Sequence, residues 1–367
     1  VVERGNLIVF DPLKDPSGVF PIRDIHLRVD LDKTKSAKFR GSLTADHLSR
    51  AEMEGVFKFD LSQWQISGRV DGIALGTELQ QALPGDISGQ LTAIAPLQGD
   101  FSLDFRANYD RQRQRPLEFE AVGKLAHGRL DTEDLPYALT DLKGTVRVDP
   151  QGIVIEKMSA RTGKTLLQIE GGQQGFGPEA TIALTGQAQN FILDERMVAG
   201  LPPTWKQTWD RYQPAGEVNA AFQLKYNGQR WQPEFSVDCI SVSFTHHKFP
   251  YRLKQTTGTV TLKNKHLSAR LTAFAGSRPV EISAEITNPG PAGIGHLVAR
   301  SAELPLDEPF LQAIPERIQK VVRSFHPRGT INGYIRVARD DPEQPWLPHT
   351  IVDLNGIAIQ YEKFPYP

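Results

Sequence analysis

Few residues in this chain have the types and spacing that chemistry needs. His246-His247 is an adjacent imidazole pair, and imidazole is the commonest metal donor. Neighbours on a strand point to opposite faces, however, and no Cys or carboxylate recurs at ligand spacing, so the pair reads as structural and no metal is expected. Asp194-Glu195 and Asp307-Glu308 each follow a leucine and have the makings of an acid and base pair. An aspartate at the start of a helix is explained by capping alone. The run from Gly171 to Gly177 lacks the Lys-Ser/Thr and the following helix of a phosphate cradle, so it reads as a hairpin loop. Arg111, Arg113 and Arg115 would suit acidic headgroups, but the corresponding loops hold Asn227-Gly228-Gln229-Arg230 and Asp340-Asp341-Pro342-Glu343. That cluster is therefore a solvated hairpin. The single Cys239 excludes an internal disulfide and reads as a small buried hydrophobe. No nucleophile, base and orienting partner come together, so the expectation is no enzyme, no catalytic residue and no cofactor.

The 367 residues carry 42 basic and 43 acidic side chains, a formal charge of −1, which gives no electrostatic reason for a nucleic-acid partner. Hydrophobic residues make up 39 %, as in a sheet with one buried and one wet face. No apolar run is long enough to span a membrane, and Val1-Val2-Glu3-Arg4 does not resemble a signal peptide. The first residue is not Met, which suggests a fragment of a longer chain with any anchor outside it.

What positions these residues is a repeat. Phe20-Pro21-Ile22, Leu135-Pro136-Tyr137, Phe249-Pro250-Tyr251 and Phe364-Pro365-Tyr366 place their prolines about 115 residues apart. Gly144-Thr145-Val146 returns as Gly258-Thr259-Val260, and Leu193-Asp194-Glu195 as Leu306-Asp307-Glu308. Pro84, Pro202 and Pro315 are each followed by a glycine, at Gly99, Gly216 and Gly329. The expected modules are 1–134 (with a leading strand), 135–248 and 249–363, with 364–367 opening a truncated fourth.

Within a module, apolar residues alternate with polar ones. Val146 and Val148, Ile153 and Ile155, Leu167 and Ile169, and Ile182 and Leu184 mark successive strands of the second copy. Val218, Phe222 and Leu224 continue the pattern after a helical interlude. The third copy answers with Val260, Leu262, Leu267, Leu271, Ile282 and Ile286. The interlude places Trp205, Trp209 and Tyr212, and later Ile318, Val322 and Phe325, on one stripe of a helix, with Pro315 in its first turn and Pro214 or Pro327 ending it. In the first copy, Gly85 to Gln98 is glycine-rich and lacks such a stripe.

The fold class expected is mainly β: an elongated, curled antiparallel sheet, a gutter built from repeats of about 115 residues with one short helical segment in each. Beyond about ten strands a sheet curls or splits. Curled with its apolar face inward, it forms a channel lined by the strand residues named above, with Arg147, Glu170 and Glu285 outside and the helices as lids. An uncovered apolar surface of that size asks for a ligand. A lipid tail fits, since each methylene buried is worth about 0.8 kcal/mol.

The succession of Phe-Pro-Tyr, Gly-Thr-Val, a Leu-Pro helical insert and a Pro-x-Gly strand resembles the AsmA-like C-terminal repeats of the bridge-like lipid-transfer superfamily. The resemblance covers nearly the whole chain and carries structural signatures only. It implies a periplasmic, envelope-associated β-gutter, tethered to a membrane by a segment outside this chain, that shields the acyl chains of phospholipid or another lipid. The first copy departs from the pattern in its helical stretch. The competing reading is a structural or adhesive array of three closed β-sandwich or barrel modules without ligand. The absence of Gly/Ser- or Pro-rich linkers at the module boundaries weighs against it.

Overall fold

The computed structural model describes residues 1–10, 19–32, 35–82, 96–132, 135–200 and 203–361. The first-copy stretch around Pro84 and Gly85, Pro202 before the second insert's helix and the mark at Phe364 lie outside the described residues. The chain is mainly β, an open antiparallel sheet of nineteen strands. The strands are β1 (Val2–Phe10), β2 (Val19–Asp32), β3 (Ser36–Ala45), β4 (Leu48–Lys58), β5 (Gln63–Leu75), β6 (Leu97–Asp110), β7 (Leu117–Leu130), β8 (Leu139–Asp149), β9 (Gly152–Thr162) and β10 (Thr165–Gln174). They continue as β11 (Thr181–Leu193), β12 (Ala215–Tyr226), β13 (Trp231–His246), β14 (Phe249–Lys263), β15 (His266–Ala275), β16 (Arg278–Thr287), β17 (Ile294–Pro305), β18 (Arg328–Arg339) and β19 (Leu347–Ala358). Helices α1 (Thr77–Ala82), α2 (Pro203–Tyr212), α3 (Glu308–Ala313) and α4 (Glu316–Ser324) interrupt them, with a 3-10 turn at Glu195–Gly200. From β2 onward the order of elements recurs three times: four strands, a helical insert, two strands. This is the expected meander of repeats, and the strands form one open sheet instead of the paired sheets of closed sandwiches.

By contacts the chain divides into two compact units: Val1–Gly186 with Leu224–Trp231, and Gln187–Gln223 with Gln232–Pro367. In the first unit, pairing runs from β1 through β10, each strand antiparallel to the next. Register brings apolar residues into rows across the strands. One row passes Leu31, Ala37, Phe57, Trp64, Tyr109 and Leu117, and the next Val29, Phe39, Gly55, Ile66, Ala107 and Phe119. In the first row large residues meet, with Trp64 stacked on Tyr109 at 5.6 Å, whereas elsewhere on the sheet rings lie over glycines. Phe105 covers Gly68 and Phe101 covers Gly123, where an added Cβ would stand 2.7 Å and 2.4 Å from the ring. Only glycine leaves that space.

In the second unit, β13 to β19 pair in the same way. Leu262 faces Leu267, which faces Ile286, and Leu271 faces Ile282, which faces Ala299. The glycine following each insert is a backbone requirement: φ is +138° at Gly216 and +137° at Gly329, and a Cβ at Gly216 would meet the Ser241 carbonyl oxygen at 2.1 Å. The strand before each insert also bulges, with a left-handed residue at Asn190 in β11 and at Glu303 in β17. The N–H of Asn190 donates to Asn219 Oδ1 (2.9 Å), and that of Glu303 to Asn332 Oδ1 (3.0 Å). The repeat thus copies a kinked strand together with the asparagine that satisfies it.

The third insert differs from the single helix expected. Asp307 does cap α3, accepting from the Phe310 N–H at 3.0 Å. The helix then stops at Ile314, held extended (φ −78°, ψ 153°) by the proline after it, and Pro315 serves as the N-cap of α4 instead of lying in its first turn. Asp194 accepts from the Arg196 N–H (3.1 Å) and pairs with its side chain at the head of the 3-10 turn.

Candidate functional site

The two faces of the sheet differ in chemistry. In the first unit the polar face carries a cross-strand ladder: Arg40 with Glu54 (2.7 Å), Arg69 with Asp104 (3.9 Å), and Arg106 and Arg147 sharing Glu120 (2.5 and 2.6 Å). Such exposed pairs contribute only about 0.2–1 kcal/mol each, but they fix which face stays in water. A depression of about 680 Å³ on this face is lined by Arg28, Arg40, Arg50, Glu52, Glu54 and Arg69; Arg40 pairs with Glu54 and Arg50 with Glu52 within it, and Arg28 and Arg69 pair with Asp30 and Asp71 beside it.

The other face is apolar and largely uncovered. Val146 faces Ile155 and Gly123, and Val148 faces Ile153 and Ala121; Leu167 and Ile169 face Ala160 and Met158 across β9 and β10. These residues therefore share one face of the first unit, half-buried except for Gly123 and Ala160, which are buried. Ile182 and Leu184 stand together on one side of β11 and are also half-buried. In β12, Val218 is buried and Phe222 half-buried in the second unit, whereas Leu224, half-buried, belongs to the first. Val260, Leu262, Leu267, Leu271, Ile282 and Ile286 share the apolar face of the second unit, half-buried throughout.

Burial decides what this face is. The largest wholly buried side chains among the described residues are Val218 and Thr256, and the buried core is otherwise mostly alanine. The chain exposes 24115 Å² at 40.9 kDa, where a compact protein of that mass exposes roughly 14,700 Å². In the second unit α3 covers part of the face: Leu311 and Ala313 are buried, and Phe310 meets Phe249 and Tyr251 edge-on at 6.1 and 6.3 Å. In the first unit Leu79 and Ala82 of α1 are buried near β5.

The expected lid residues divide. On α2, Trp205, itself 48 % exposed, stands 5.7 Å from Phe235 and Tyr212 5.3 Å from His246, with Trp209 half-buried, so this helix touches β13 through its two end rings. The His247 N–H donates to the Arg211 carbonyl (2.9 Å) and pins its last turn to the β13–β14 hairpin. On α4, by contrast, Ile318 and Phe325 are exposed and Val322 half-buried, and no residue of the helix is buried. Val321, also exposed, completes the stripe and is missing from the i, i+4, i+7 count.

The residues weighed for chemistry each have a definite place in the fold. The His246 and His247 rings lie 4.6 Å apart, because the hairpin turn begins at His247 and ends the strand alternation. Burial, then the neighbouring His247, Arg211 and Lys248, hold the His246 imidazole below its usual range. Among the described residues no His, Cys, Asp and Glu group fits a metal. Cys239 is half-buried on the apolar face opposite Gly258, and burial pushes its thiol up, away from thiolate. Arg113 pairs with Glu118 (3.0 Å) across its hairpin. Gly171 and Gly172 continue β10, and the loop itself spans 175–180.

No protein-family model, curated protein or solved structure matches the chain. No helix of the described residues is long and apolar enough to cross a membrane.

Proposed function

We propose that this chain binds acyl-chain lipid along the apolar face of its sheet and performs no reaction. One observation carries the reading: rows of Phe, Trp, Ile, Leu and Val lie side by side on a single layer of strands, half-exposed, with alanine as the main buried residue. A contiguous apolar face larger than the roughly 300–600 Å² patch of an ordinary monomer calls for a partner. From β2 to β10 the face extends about 38 Å at 4.8 Å per strand, long enough to take a tail lengthwise across successive strands. A 16-carbon tail gains on the order of 12 kcal/mol from burial before the costs of ordering. The rows repeat with similar side chains, so neighbouring positions along the face bind a tail about equally well. That favours sliding over a single deep site.

The resemblance to AsmA-like repeats supports the same reading and adds a setting, the periplasm of a bacterial envelope, with phospholipid moving along the gutter between membranes. The helices α2 and α3 then act as covers over parts of the path. Native mass spectrometry and lipid extraction of the purified protein test the proposal. Co-purifying phospholipid, removable by detergent and restored on adding lipid, is the expected result. A lipid-free protein that takes up none overturns it.

A further inference from the structure

Helix α4 is strongly amphipathic, and among the described residues its apolar side is covered only at one end, where Tyr361 stacks on Phe325. Ile318, Val321, Val322 and Phe325 follow one another at i, i+3, i+4 and i+7 and share one stripe. Ile318 is 53 % and Val321 57 % exposed, values that a helix seated on a core does not show. Phe325 stacks on Tyr361 at 5.0 Å. The remaining arc is basic: Arg317, Lys320 and Arg323, with Arg328 opening β18 just beyond, stand against the single acid Glu316 between 316 and 328, which pairs with Lys320 at 2.8 Å in an exposed i,i+4 contact, in a chain whose formal charge is −1.

Arg323 also pairs with Glu308 of α3, which fastens α4 to the helix seated on β14. The stripe is thus presented by an anchored element. Because α2 follows β11 and α4 follows β17, six strands on in an antiparallel ladder, both inserts of the second unit leave the sheet on the same rim.

We infer that α4 docks this rim onto an anionic phospholipid bilayer. Ile318, Val321 and Phe325 enter the headgroup boundary, and Arg317 and Lys320 reach the lipid phosphates from the flank and the polar arc. A short helix with an open apolar stripe and excess Lys/Arg is the arrangement that lies in a membrane interface. Charge decides among occupants: an apolar tail held in the groove calls for no cations, whereas an acidic surface does. The inference does not depend on whether the groove itself carries lipid.

The test is sedimentation of the whole chain with vesicles of phosphatidylcholine alone and of phosphatidylcholine mixed with phosphatidylglycerol, at low and high salt. Binding to the anionic vesicles, weakened several-fold by salt and slight on the neutral ones, is expected. Ile318→Ser with Val321→Ser should weaken it roughly tenfold or more. Arg317→Gln with Lys320→Gln should remove the preference for phosphatidylglycerol, and this pair decides the matter if the first does not fold. Equal sedimentation with both vesicle types, or unchanged binding by either pair of substitutions, overturns the inference. So does loss of monomeric lipid uptake with vesicle binding intact, since the stripe would then cover cargo. Vesicle binding by a protein that takes up no monomeric lipid would refute the groove and leave the docking helix standing.

Discussion

Placing a carboxylate on the apolar face, by Val146→Asp, separates an open groove from a closed core. Val146 is half-buried on β8, between Gly123 and Ile155. Full burial of a valine is worth about 1.5–3 kcal/mol, so a half-exposed one contributes about 1 kcal/mol. In the lipid-free protein the new carboxylate keeps water on its open side, and urea unfolding should register a loss of about 1 kcal/mol. With a tail lying over it, the same carboxylate is desolvated without a partner, at a cost of several kcal/mol. Since 1.4 kcal/mol is a factor of ten, lipid uptake measured with a fluorescent fatty acid should fall at least tenfold. Thr145→Asp, one residue away on the polar face opposite Lys124, should leave both measurements within error. A stability loss of about 4 kcal/mol or more at Val146 would mean that the site is a filled core. Unchanged uptake would mean that lipid does not lie there, and either result refutes the reasoning.

Gly216→Ala should cost about 3 kcal/mol or more, because φ is +138° and the Ser241 carbonyl blocks the Cβ, whereas Gly276→Ala, in an open turn at φ +62°, should cost about 1 kcal/mol; thermal melts of the pair check this. Asn332→Ala removes the acceptor for the Glu303 N–H and should lower stability by about 1 kcal/mol, with Asn219→Ala matching it at the other bulge. The His246 imidazole is held below its usual range in the folded chain, chiefly by burial, so the unfolded chain binds the proton first on acidification. Its contribution is therefore present above the unfolded pKa, near 6.5, and is lost as pH falls from there toward the folded value. Stability measured from neutral to mildly acidic pH should drop less in His246→Gln than in the parent, and an equal drop refutes the assignment.

The strands and their faces were legible because alternation is a local property: a residue two positions on returns to the same side whatever the sheet does next. Register was legible through the repeat, which tied Val146 to Val260 before any pairing was visible. Two things escaped. The bulges at Asn190 and Glu303 belong to pairs of strands, and the residues that satisfy them, Asn219 and Asn332, lie 29 residues downstream. Their signal was nonetheless present, a polar residue recurring at one repeat's spacing between apolar neighbours. The split of the third insert into α3 and α4 followed from a rule applied too narrowly. Pro315 suits the start of a helix, but it also forces Ile314 out of helical conformation, so a single proline ends one helix and opens the next.

That split has a consequence for how the apolar face is managed. With Phe310, Leu311 and Ala313 committed to the sheet by α3, the stripe of α4 is turned away from it and has no core to join. In an unbroken helix across 308–324, Leu311 and Ile318, seven residues apart, and Phe310 and Val321, eleven apart, would each lie within about 20° of one another, so both groups would face the same side. The proline lets one insert serve two surfaces, one against the strands and one outward. If that is its role, replacing Ile314-Pro315 by Ala-Ala should fuse the helices, raise helical circular dichroism, and weaken either the seat of Phe310 on Tyr251 or the exposure of Ile318. Unaltered tyrosine and phenylalanine environments together with unaltered protease sensitivity at α4 would show that the break has no such part.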